Sequence, residues 1–403
     1  MEAEIEFIAQ GTVTSPQGFH AGATYAGIKK KARGGSDLGL LFSEEPCRVA
    51  GVLTTNKIKA APVILCQQRL KSGRAVAVVA NSGCANACTG EQGLADATEM
   101  AALAAKGLGV SPEDVLVAST GVIGKPLPME LIRAGLVEIV LSADGGHALE
   151  EAIMTTDTVA KEVAVRVGEG EFVIGGIAKG SGMIHPQMAT LLCFLTTDAA
   201  VGTDFLESAL HQAVDVSFNM ISVDGDTSTN DTVLIMANGK AGGEEIERGT
   251  GQAEAFQQAL EQVCLHLAKA VARDGEGASK LIEVTVAGAA SVAEARAAAR
   301  TIVASPLVKS AVHGNDPNWG RILAAVGRSG VDVVENRIDL SLGGIAVLQE
   351  GSPLPYEEND VVEAFKESEV AISLNLNLGG AVATAWGCDL SQEYVAINSA
   401  YMT

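Results

Sequence analysis

A chain of 403 residues is too long for one small core, and with 47% hydrophobic against 19% charged residues it can bury a large one. No apolar run approaches the roughly 20 residues of a membrane-spanning helix, and 28 basic against 49 acidic residues leave a net charge of −21, the wrong sign for gripping a phosphate backbone. Membrane spans and nucleic-acid partners are therefore set aside. The seven widely spaced cysteines fit reduced thiols better than a disulfide framework, and the acidic start MEAEIEFIAQ has no basic targeting segment, so a cytoplasmic address is expected.

Along the chain, strand-like and helix-like stretches alternate in an α/β rhythm. AVAVVANSG (75–83) reads as a strand, and DATEMAALAAKGLG (96–109) as a helix with Met100, Leu103 and Ala104 on one face and its stop at Gly107 and Gly109. VLVAST (115–120) is a strand and MELIRAGLVEIVL (129–141) a helix. After the buried run Leu191 to Leu195 come a helix over 205–219, a strand over 232–238, a solvated loop over 242–252, and a long helix over 252–275. Phe256, Leu260, Val263, Cys264 and Leu267 mark one face of that helix. The last third reads as β-rich in LIEVTVAG (281–288), 331–348, 370–380 and 380–390, which suggests a separate lobe from about residue 285.

Familiar catalytic and binding motifs mostly fail. GVIGKP (121–126) lacks the first glycine of a phosphate-cradling loop and puts Pro126 where its Ser/Thr should stand, and GGIAKGSG cannot be written as G-x-G-x-x-G. Cys84 and Cys88 have no second Cys/His pair at a zinc-site distance. No G-x-S-x-G is present, and His185, beside Pro186, reads as a hydrogen-bonded turn residue. Asp224, Asp226, Asp231 and Asp316 read as loop residues bonded to nearby backbone.

Thr190, at the join between the glycine-broken KGSGMIHPQMA and the apolar LLCFL, is different. A threonine hydroxyl needs a base to become a nucleophile, and the α-amine of an N-terminal threonine supplies one at a covalently fixed distance. That amine titrates near 7.7–8.0, so roughly a tenth to a sixth of it is free base at pH 7. An internal threonine reaches this state only if the preceding peptide bond is cut, which a hydroxyl can do through an N-to-O acyl shift. On local grounds alone, a β-branched residue beginning a strand is an equal reading.

KGSGMIHPQMATLLCFLTTDA (179–199) closely resembles the self-processing segment of the ornithine acetyltransferases, the glutamate N-acetyltransferases of arginine biosynthesis. The likeness continues through NSGCANACTG (81–90), STGVIGKPLP (119–128), IMTTDT (153–158), SFNMISVDGDTSTNDT (217–232), GEGASK (275–280), DPNWGRI (316–322) and the terminal YVAINSAYMT. It implies a cut between Ala189 and Thr190, an α chain of 1–189, and a β chain whose 190–284 carries the nucleophile strand and whose 285–403 forms a β-rich lobe with a tail returning to the site. The implied fold is α/β, a four-layer α-β-β-α sandwich with that lobe added.

In the same resemblance Thr190 is the acyl-accepting nucleophile, Thr120 and Gly121 form the oxyanion hole, and Thr156, Lys179, Glu276, Asn398 and Thr403 bind substrate together with Thr190. A cation and hydroxyls suit an amino-acid carboxylate, and a carboxylate suits the ornithine side chain. No metal or bound cofactor is implied; acetyl-CoA enters as a co-substrate only if the enzyme is bifunctional. Two α and two β chains are the implied assembly. One position departs from the family, whose loop commonly reads NSGNANACTG where this chain has Cys84. The rival readings are an amidohydrolase or aminopeptidase of the same self-cleaving architecture, in which water resolves the acyl-enzyme, and a non-catalytic amino-acid-binding protein.

Overall fold

The computed structural model describes residues 4–29, 35–168, 171–185 and 191–400. Its first sheet runs β1 (Ile5–Phe7), β6 (Glu162–Val167), β7 (Phe172–Lys179), β8 (Leu192–Val201), β10 (Thr232–Ile246), β3 (Leu38–Leu53), β4 (Arg74–Asn81) and β5 (Val115–Ser119), with β2 (Phe19–Thr24) also paired to β3. The second runs β14 (Ser352–Pro353), β13 (Ile345–Gln349), β12 (Asp339–Leu342), β15 (Glu369–Asn375), β11 (Leu281–Ala289), β16 (Ala381–Cys388) and β9 (Ile221–Ser222). The fold is α/β with two β-layers and helical cover, the class the resemblance implies.

β8 is hydrogen-bonded on both edges, antiparallel to β7 and parallel to β10. Both of its faces are buried as well, which is why its sequence opens as an apolar run without alternation. The pleat sends Cys193 and Leu195 into one core and Leu192 and Phe194 into the other. The first core is closed by α5 (Thr203–Val216) and α6 (Gly251–Arg273), the second by α1 (Ala61–Arg69), α2 (Gly90–Leu108), α3 (Met129–Leu136) and α4 (Gly146–Ile153). Phe256, Leu260, Val263, Leu267 and Val271 of α6 are fully buried, each contributing roughly 1.5–3 kcal/mol. α6 also touches the second sheet at β16.

Three expectations are corrected. The helix expected over 129–141 stops at Leu136, because Ile139 and Val140 favour extended backbone and Ser142 exchanges two hydrogen bonds with Ala21, both 2.9 Å. Residues 242–246, read as loop, complete β10: after register shifts Gly242 pairs with Ala199 and Ile246 with Val201. The last third is less purely β than expected, since 292–327 holds α7 (Val292–Val303), α8 (Pro306–His313) and α9 (Trp319–Gly327), with α10 (Glu358–Lys366) farther on. Ser291 caps α7 by accepting the Glu294 N–H at 3.2 Å, an S-x-x-E signal present in the sequence. Among the described residues no helix is long and apolar enough to cross a membrane.

Candidate active site

Six loops meet in a cleft of about 160 Å³, and Thr120, Gly121, Thr156, Lys179, Glu276 and Asn398 all line it. Six of the expected site residues thus come together from segments up to 278 positions apart, the span from Thr120 to Asn398. Ala189, Thr190 and Thr403 lie outside the described residues.

Thr120 follows β5, and its N–H is held by the Asn81 carbonyl at 3.0 Å. Gly121 has φ +127°, and a Cβ there would meet the Gly83 carbonyl carbon at 2.4 Å and the Cys84 nitrogen at 2.7 Å. Only glycine fits this approach of two backbones. Asn230, buried just before β10, donates its amide to the carbonyls of Ala85 at 2.6 Å and Ser119 at 2.8 Å, bracing this wall. The buried Cys84 thiol faces the carbonyls of Lys125 at 3.3 Å and Pro126 at 3.5 Å, so at this departure from the family loop the side chain serves the turn.

The opposite wall hangs on an ion cluster that the sequence reading missed. Lys161 Nζ, with no side-chain exposure, contacts Asp157 at 2.9 Å and Asp274 at 2.6 Å. Asp157 also accepts the N–H groups of Gly180 at 2.6 Å and Thr155 at 2.9 Å, while Asp274 accepts the Thr158 N–H at 3.0 Å and the Thr158 hydroxyl. Burial works against the Asp157 charge, but Lys179 and Lys161 outweigh it and hold the carboxyl well below the usual range. Burial likewise penalises the Lys161 ammonium, and the two aspartates overcome that penalty and raise its pKa. The cluster therefore anchors the loops carrying Thr156, Lys179 and Glu276.

Lys179, 2% exposed, donates to the Thr155 hydroxyl at 2.8 Å and stands 3.8 Å from Asp157. Thr156 shares a 2.6 Å hydrogen bond with Ser181, whose carbonyl accepts the Glu276 N–H at 2.8 Å. The Glu276 carboxyl lies over Gly182, where an added Cβ would come within 2.6 Å of it. Asn398, on α11 (Gln392–Ala400), donates to Glu276 at 2.8 Å. α11 docks against Gly277, where an added Cβ would lie 2.6 Å from the Tyr394 nitrogen.

The loop leading toward Thr190 is pinned by Asp224, which accepts the N–H groups of Met183 at 2.5 Å and Ile184 at 2.9 Å. Asp231 accepts the Leu191 N–H at 3.0 Å, so both aspartates serve backbone as expected. His185, whose pKa burial lowers, meets the Ser222 hydroxyl at 3.1 Å. Chemically, the cleft offers a buried cation with neighbouring hydroxyls at one side, a carboxylate at another, and a backbone turn held by glycine between them.

A model of the ArgJ family matches residues 20–403. The arginine biosynthesis bifunctional protein ArgJ of Dehalococcoides mccartyi is 54% identical over 405 residues, covering 100% of both chains. That of Symbiobacterium thermophilum is 54% identical over 403 residues, covering 99% of this chain and 100% of its own. A crystal structure of the argJ protein from Bacillus halodurans is 46% identical with a TM-score of 0.50, covering 51% of this chain and 97% of its own. The chain belongs to the ArgJ family.

Proposed function

We propose that the chain moves the acetyl group from N2-acetyl-L-ornithine to L-glutamate by a ping-pong mechanism, after cutting itself between Ala189 and Thr190. The observation that carries this reading is the convergence of Thr120, Gly121, Thr156, Lys179, Glu276 and Asn398 on one cleft in a chain matched to the ArgJ family. In it the donor carboxylate meets Lys179 and the Thr156 hydroxyl, the ornithine side chain meets Glu276 and Asn398, and Thr403 completes the substrate contacts.

The amide carbonyl lies at Thr120 and Gly121, Thr190 Oγ attacks, and its α-amine takes the hydroxyl proton and passes it to departing ornithine. Fixed donors where the oxyanion develops are worth roughly 2.7–4 kcal/mol each. Glutamate then enters the same site, and its amine, deprotonated by the same base, takes the acetyl group and frees Thr190.

Self-cleavage is compatible with the topology, since β7 precedes residue 190, β8 and β10 follow it, and all three pair in one sheet beside β3. The halves would remain hydrogen-bonded after the cut. The solved Bacillus halodurans chain, 97% covered by half of this one, fits a protein that exists as two pieces. Two chains of each kind, a cytoplasmic address, no bound cofactor, and acetyl-CoA as a second donor belong to the same reading; the relatives' description as bifunctional supports the last.

Initial-rate kinetics test it. Parallel double-reciprocal lines for N-acetylornithine and glutamate are expected. Intersecting lines would overturn the scheme, and acetate release at full rate without glutamate would make the protein a hydrolase.

A further inference from the structure

Asp231 is buried and used by no step above, and its side chain holds Leu191, the residue that follows the proposed nucleophile in sequence. Leu191, whose side chain is 2% exposed, is held at both polar backbone groups: its N–H donates to Asp231 Oδ1 at 3.0 Å, and its carbonyl accepts the Thr232 N–H at 2.8 Å. The Asp231 side chain therefore supplies the acceptor that starts the β8/β10 pairing, whose first backbone partners are Leu192 and Thr232.

The other oxygen, Oδ2, is fully buried and has no hydrogen-bond partner among the described residues. The nearby Thr54 hydroxyl is committed to the Ser228 carbonyl at 2.7 Å. Burial pushes the carboxyl well above the usual range, opposed by the Leu191 N–H, Thr54 and Lys179.

We propose that Asp231 is a positioning residue for self-cleavage, acting through the Leu191 amide that it clamps on the C-terminal side of the bond to be cut. Covalent connectivity carries the effect, because the atom bonded to the clamped Leu191 nitrogen is the Thr190 carbonyl carbon, across a planar peptide bond. In the step it serves, a bond forms from Thr190 Oγ to the Ala189 carbonyl carbon and the Ala189 C to Thr190 N bond breaks. The hydroxyl proton ends on nitrogen, and water then hydrolyses the ester to an Ala189 carboxyl and a free Thr190 hydroxyl.

The inference rests on the self-cleavage reading, so its test keeps the two apart. Freshly synthesised full-length chain is followed by intact mass over time for wild type, Thr190→Ala, Asp231→Ala and Asp231→Asn, with thermal melting of each. Wild type that stays whole removes the cleavage reading itself and this inference with it. With wild type cutting, Asp231→Ala is expected to slow the cut by roughly 10- to 100-fold, the scale of one lost buried hydrogen bond. Asp231→Asn, the same shape with a neutral acceptor, is expected to stay within about 3-fold of wild type on the same scale. A folded Ala variant cutting at the wild-type rate, or a folded Asn variant as slow as Ala, overturns the inference. Should the Ala chain not fold, Asp231→Glu, whose longer arm displaces the acceptor, replaces it; Glu and Asn cutting equally fast then overturns the inference.

Discussion

Replacing Lys161 by Met removes the cation that joins two loops of the cleft. Asp157 and Asp274 each contact the same Nζ, at 2.9 and 2.6 Å, so those oxygens are at most 5.5 Å apart. At an effective dielectric of about 20, two carboxylates at that distance repel by roughly 3 kcal/mol, an upper bound because Lys179 still stands 3.8 Å from Asp157. Breaking a buried pair by removing one partner typically costs about 3–5 kcal/mol, so the two figures agree. In a chain of this length that is a melting drop of roughly 4–6 °C. Differential scanning calorimetry at pH 7.5 reads it. Adding Asp274→Asn to Lys161→Met removes one of the facing charges and is expected to recover part of the loss. A variant melting within about 1 °C of wild type, or no recovery in the double variant, would refute the electrostatic reasoning, the first limit being about the shift of 1 kcal/mol.

Other outcomes follow from single contacts. Gly121→Ala forces a Cβ against Gly83 and Cys84, so kcat is expected to fall roughly 10²–10³-fold, as for a lost oxyanion donor; steady-state kinetics with an unchanged kcat would contradict the placement. Asn398→Ala deletes one 2.8 Å bond to Glu276 on an exposed helix, and a KM rise of about 5-fold with an unchanged melting point is expected. Asp231 has a folded pKa raised above its ordinary 3.8, so the unfolded chain releases that proton first and the native state loses stability as pH rises from the ordinary value toward the folded one. Asp231→Asn removes the dependence, so its melting advantage over wild type should be larger at pH 8 than at pH 4; the opposite trend would show an ionised Asp231.

How much was readable beforehand depended on the range of each interaction. The α6 face is written in the spacing of Phe256, Leu260, Val263 and Leu267, and β8 in an unbroken apolar run, because both signals are local. The cluster is not: Asp157 and Lys161 are four apart in a loop, and Asp274 lies 113 positions from Lys161. No periodicity marks a pair made by folding. The site residues were nameable only through the resemblance, since Thr120 and Asn398 share no sequence neighbourhood. The end of β10 was hidden because its exposed Glu244 and Glu245 look like loop, and α7 because its alanines carry little hydrophobic contrast despite the S-x-x-E cap.

Mass spectrometry of purified wild type beside Thr190→Ala, with and without N-acetylornithine and in the absence of glutamate, bears most directly on Thr190. Two wild-type fragments, 1–189 and 190–403, with an added acetyl group on Thr190 of the second only after N-acetylornithine, and a single unacetylated variant chain, are expected. An uncut wild type, or a wild-type chain that transfers acetyl while Thr190 never carries it, would contradict the N-terminal nucleophile.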